Sequence, residues 1–167
     1  MAKKITLYSL LTVFALILSY LEGLSLSFIP VPGFKLGLAN GISMILLSKR
    51  KYGGAIAVNI TRILLSSLLF GNFYSLLFSL AGGILSSLIV LLFLKMPCFS
   101  FAGASTAAGA THNLAQITVA ILLLQTTGLI YLLPILLLSG AVTGFILGIF
   151  VNVFSKKYGY IIEKITN

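Results

Sequence analysis

Apolar runs separated by short polar connections divide the chain into six segments, at about 5–22, 35–48, 53–70, 73–94, 103–125 and 131–154. About 20 apolar residues carry a helix across the hydrocarbon core of a bilayer, and about 17 to 25 suffice. Runs such as 84–94 lack the apolar–polar alternation of a barrel strand. The pattern therefore predicts an all-α integral membrane protein of six transmembrane helices. The second run is short, and Pro30, Pro32 and Gly33 just before it prevent a helix. Irregular backbone at that depth is tolerated where it lines a cavity, so this segment is expected to pack in the outer leaflet as a gate.

Charge sharpens this topology. Lys3 and Lys4 precede the first run, Lys49, Arg50 and Lys51 follow the second, Lys95 follows the fourth, and Lys156, Lys157 and Lys164 follow the last. The intervening connections are uncharged except for Lys35. Positive residues are retained in the cytoplasm, so both termini are expected inside, in a multi-pass protein of the cell membrane. The net charge of +9 is then a topology signal and does not point to nucleic acid. With 59% hydrophobic residues the chain is too apolar for a soluble domain, and no polar block is long enough to fold separately, so residues 1–167 are expected to form one transmembrane domain. The first run resembles a secretory leader but is long for one, and it is read as a retained helix.

Small residues mark close helix contacts: Ala81-Gly82-Gly83, the stretch 103–110, and Gly140, Gly144 and Gly148 at four-residue spacing. Cys98 is the only cysteine and His112 the only histidine, so there is neither an internal disulfide nor a Cys/His metal site. The chain has no aspartate, and its two glutamates, Glu22 and Glu163, lie in different segments. Clustered carboxylates for Mg²⁺ on substrate phosphates are therefore missing, as is a phosphate-binding loop. A non-enzyme without metal or cofactor is expected.

The strongest chemical signal is Arg62, near the middle of the third run. A guanidinium at membrane depth costs roughly 2.5–3.5 kcal/mol on the mild insertion scale, and it persists with a partner and a task. Asn59 and Ser66 share its helix face, while His112 and Gln116 share a face of the fifth helix with Asn113 beside them. Glu22 and Lys35 fall at the same outer end. With Glu22 negative and Lys35 and Arg62 positive, the excess positive charge suits an anionic group, which Arg62 would anchor. A purely structural alternative pairs Arg62 with Glu22 and uses the other polar side chains as hydrogen-bonding glue between helices.

These residues also carry a family resemblance. The strings Leu21-Glu22, Ile29-Pro30-Val31-Pro32-Gly33-Phe34-Lys35-Leu36-Gly37-Leu38-Ala39-Asn40, the stretch from Thr61-Arg62 to Gly71, Ser79-Leu80-Ala81-Gly82-Gly83, and Gly109-Ala110-Thr111-His112-Asn113-Leu114-Ala115-Gln116 resemble the Gx transporter family, whose members are labelled heptaprenyl diphosphate synthase component I. That family is similar to the substrate-binding S components of energy-coupling-factor (ECF) transporters. The resemblance implies a six-helix bundle, a small solute captured from outside, and a transmembrane coupling protein with two ATPases as partners. It also implies that Ala15 and Ser19 on the first helix meet the coupling protein. The expected binding set is Glu22, Lys35, Asn40, Asn59, Arg62, His112, Asn113 and Gln116, for a small polar or anionic organic solute. The alternative is a non-catalytic membrane subunit supporting heptaprenyl diphosphate or quinone synthesis, with its basic stripe touching diphosphate from the inside.

Overall fold

A computed structural model describes residues 2–26, 37–96 and 98–166. They form α1 (Ala2–Leu26), α2 (Asn40–Ser48), α3 (Tyr52–Phe70), α4 (Phe73–Leu94), α5 (Phe101–Leu124), a 3₁₀ segment (Thr127–Leu132) and α6 (Leu133–Thr166). Five of these stretches are long and apolar enough to cross a membrane. Large apolar side chains such as Leu68, Tyr131, Ile135 and Leu138 point outward along them, as expected where lipid is the solvent. The chain is a multi-pass helical membrane protein.

Two boundaries correct the sequence expectation. The second helix starts at Asn40, not at residue 35, because Gly37 takes a left-handed conformation (φ 79°) and Leu38 and Ala39 form a turn. At 9 residues α2 is about 14 Å long, less than half the ~30 Å hydrocarbon thickness. The last helix continues to Thr166, twelve residues past the expected end at Phe154. The lysines after Phe154 end the apolar run, but nothing there breaks a helix. Gly159 leaves room for the Lys49 side chain, and Lys49 Nζ meets Glu163 Oε1 at 3.1 Å, which ties the extension to the α2–α3 turn. Ser48 and Ser155 hydroxyls meet at 2.7 Å beside it.

α2 ends in an unusual cap. Arg50 N–H donates to Leu47 O (2.9 Å) and Lys51 N–H to Leu46 O (3.0 Å), the bond pattern of a Schellman motif. Its left-handed position is usually glycine, yet it holds Arg50 at φ 57°. A side chain there costs roughly 1–2 kcal/mol.

Glycines set the closest contacts. A Cβ at Gly109 would strike the Gly140 carbonyl, one at Gly140 the Gly109 carbonyl, and one at Gly144 the Ser105 carbonyl. The stripe at 140, 144 and 148 thus brings the α5 and α6 backbones together, recovering the van der Waals contact that lipid-bathed helices need. Because the obstacle is backbone, it cannot rotate away. Gly144→Val is expected to lose roughly 1–3 kcal/mol or more of stability through overpacking, seen as a lowered unfolding midpoint in detergent. Gly53→Ala, with nothing within 4 Å of the added carbon, is expected to leave the midpoint unchanged or higher.

Candidate solute-binding cavity

Arg62 lies ten residues into α3 and is only 6% exposed. Three helices supply oxygen to it. Its Nη2 donates to Asn40 Oδ1 of α2 (2.6 Å) and to Asn59 Oδ1 of α3 (2.7 Å), and its Nη1 donates to Ser19 Oγ of α1 (3.3 Å). Glu22 adds a favourable charge from the end of α1. Nε–H finds no acceptor among the described residues.

Asn59 is the hinge of this network. With its oxygen committed to Arg62, its Nδ2 reaches the Gly83 carbonyl (3.3 Å) and Ser87 Oγ (3.4 Å) on α4. Gly83 permits the approach, since a Cβ there would lie 3.1 Å from Asn59 Nδ2 and 2.7 Å from Ile63 Cδ1. Gly82 does the same for α5, where a Cβ would lie 2.8 Å from the His112 ring and 2.9 Å from Gln116 Cγ. The paired glycines let α4 sit between two polar helix faces.

A cavity of about 320 Å³ opens beside Arg62. Glu22, Asn40, Arg62, Ser79 and His112 line it together with Ser19, Tyr20 and Ser66, and Phe70 and Gly71 lie at the α3 end remote from the lysines. Arg62 lies eight residues before Phe70, so its backbone sits about 12 Å along the helix from that end. The Gly37 N–H donates to Glu22 Oε1, which fixes the carboxylate against the turn that starts α2.

Of the expected binding residues, Glu22, Asn40, Arg62 and His112 reach this cavity, and Asn59 supports it from behind. Asn113 turns away: one residue after His112 is about 100° around the helix, and its Nδ2 donates to Leu136 O of α6 at 2.7 Å. Gln116 is buried under Gly82, its amide nitrogen and oxygen both without partners among the described residues. Lys35 and the expected gate, Pro30, Pro32 and Gly33, lie outside the described residues.

The expected partner contact, Ala15 and Ser19, faces inward. Ala15 is fully buried, and the half-buried Ser19 accepts from Arg62 of α3. Ser79 was not anticipated as a lining residue. Its signal is the spacing of Ser79, Gly82, Gly83 and Ser86, a small and polar stripe at helical period on an otherwise apolar α4. Among the described residues no three His, Cys, Asp or Glu side chains gather as a metal site.

Asn59→Leu keeps the branched shape of the side chain but removes an acceptor from Arg62 and both bonds to α4. It is expected to destabilise the protein by roughly 1–3 kcal/mol, the cost of an unsatisfied buried donor, measured as a lowered unfolding midpoint in detergent. Ser66→Ala, which removes only a bond to its own helix at Ile63 O, is expected to have little effect.

Comparison with known proteins adds one finding. No curated protein and no solved structure matches the chain. A family model described as heptaprenyl diphosphate synthase component I matches residues 11–154, which span every cavity residue named above. The word "component" implies a partner subunit. By this match over most of its length, the chain belongs to the heptaprenyl diphosphate synthase component I family.

Proposed function

We propose that this protein is a membrane-embedded solute-binding component, which takes a small polar or anionic organic molecule into the cavity beside Arg62 and passes it inward with a separate energising module. The observation that carries this reading is the mid-helix guanidinium, held open by neutral oxygens from three helices at the wall of a 320 Å³ space. Here the cavity leaves a charged donor, a carboxylate and the His112 ring facing one hollow, which suits a ligand with several polar atoms.

On this reading all six helices belong to one domain of the cytoplasmic membrane, both termini are cytoplasmic, and the cavity end faces outward. Pro30, Pro32 and Gly33 would gate it, and Lys35 would add positive charge at the mouth. A coupling protein and ATPases, as in ECF transporters, would supply the energy.

The family description favours a second reading, a non-catalytic membrane subunit that associates with a prenyltransferase. Neither reading asks the chain for chemistry: it has no aspartate, and its glutamates lie at opposite ends of the bundle, Glu22 at the cavity and Glu163 on Lys49. Affinity purification with mild detergent, followed by mass spectrometry of released small molecules and of copurifying proteins, separates the two. Solute binding predicts a retained polar molecule that is lost by at least tenfold in Arg62→Ala, the loss of a charged hydrogen bond, while the variant stays monodisperse. ATPase and coupling subunits should copurify. A retained prenyltransferase with an empty cavity, or an undiminished ligand in Arg62→Ala, contradicts the transport reading.

A further inference from the structure

The opposite end of the bundle holds a second, larger recess of about 630 Å³. It lies where the α2–α3 turn, the end of α4, the start of α5 and the extended part of α6 meet, and four cations rim it: Lys49, Arg50, Lys95 and Lys156. Leu47, Leu94 and Phe101 give it an apolar wall, while Ser48, Asn152 and Ser155 give it a polar one.

Three of its four cations have no acidic side chain paired with them among the described residues. Of the chain's two acidic side chains, Glu22 lies at the far end and Glu163 is paired with Lys49. No acidic side chain remains for Arg50, Lys95 and Lys156. The backbone points the same way independently, because the left-handed cap position that favours glycine holds an arginine at the rim of this recess. A position that pays backbone strain for a cation is a candidate for a task at the recess.

We propose that this basic recess binds the phosphate or diphosphate headgroup of a membrane amphiphile. Arg and Lys together match phosphate oxygens, Arg as a planar fork and Lys as point charges. The recess sits where helices end, and basic pockets between transmembrane helices are suited to such headgroups. The adjoining leucines and phenylalanine would meet the first carbons of the apolar chain. The proposal is independent of what occupies the Arg62 cavity and of which proteins associate with the chain.

The test uses the full chain in phosphatidylcholine nanodiscs, titrated with inorganic diphosphate and with farnesyl diphosphate, and in parallel nanodiscs containing phosphatidylglycerol. Bound probe is read by native mass spectrometry. Arg50→Gly is the key variant, since glycine suits the backbone there and only the cation is lost. It is expected to weaken binding roughly fivefold, and Arg50→Gly with Lys95→Gln and Lys156→Gln on the order of 100-fold, at about fivefold per cation. A variant with equal charge loss elsewhere, Lys3→Gln, Lys4→Gln and Lys164→Gln, is expected to bind within about twofold of the parent. Farnesyl diphosphate displaced by inorganic diphosphate assigns recognition to a diphosphate, and selective retention of phosphatidylglycerol assigns it to a phospholipid headgroup. Either result supports the site. Binding of no phosphate probe, or equal loss in the two triple variants, overturns it. Solute retention at Arg62 plays no part in this readout, so the two proposals fail separately.

Discussion

A guanidinium held within an apolar helix bundle is the constraint around which the interior is arranged. Its burial would cost several kilocalories without acceptors, and no single helix can surround it. Ser19, Asn40 and Asn59 therefore bring α1, α2 and α3 to one point. Asn59 then extends the network to α4, where the missing side chain of Gly83 leaves room for its amide to reach the Gly83 carbonyl. The short α2 fits the same logic. It does not need to cross the bilayer to deliver Asn40, and the Gly37 turn that starts it is held by the carboxylate that balances Arg62.

The other half of the bundle is built differently. α5 and α6 meet backbone to backbone at their glycines, with the small Ser105 side chain against Gly148 and the Asn113 amide on Leu136 O between them. The cavity forms where this close pair gives way to the polar network, with His112 as the contribution of α5. The two ends also differ in chemistry. One holds the cavity with a single guanidinium and a carboxylate, and the other holds a recess rimmed by cations.

Much of this was legible in the sequence because lipid penalises polar atoms so heavily. Arg62, Asn59 and His112 stood out against apolar neighbours, and the long apolar runs marked the five helices long enough to span. The misses have physical causes. Hydropathy ends where charge begins, whereas a helix ends where its backbone bonds end, so α6 ran on past Phe154. Gly37 and the turn after it do not alter hydropathy, so the start of α2 was placed too early. Gln116 shares a helix face with His112 by its four-residue spacing, whereas Asn113 was included only as their neighbour, and rotation about the helix axis directs it to α6.

The central claim is that Arg62 sits in the bundle interior on amide oxygens. The chain has only two arginines, Arg50 and Arg62, so arginine-selective ¹⁵N labelling gives two guanidinium signals for solid-state NMR in lipid bilayers. Arg50 is exposed and should exchange its protons rapidly with water. The account predicts that the second guanidinium exchanges slowly and shows through-space contacts to the Asn40 and Asn59 side chains. Two rapidly exchanging guanidinium groups, or contacts from Arg62 to lipid phosphorus, would contradict it.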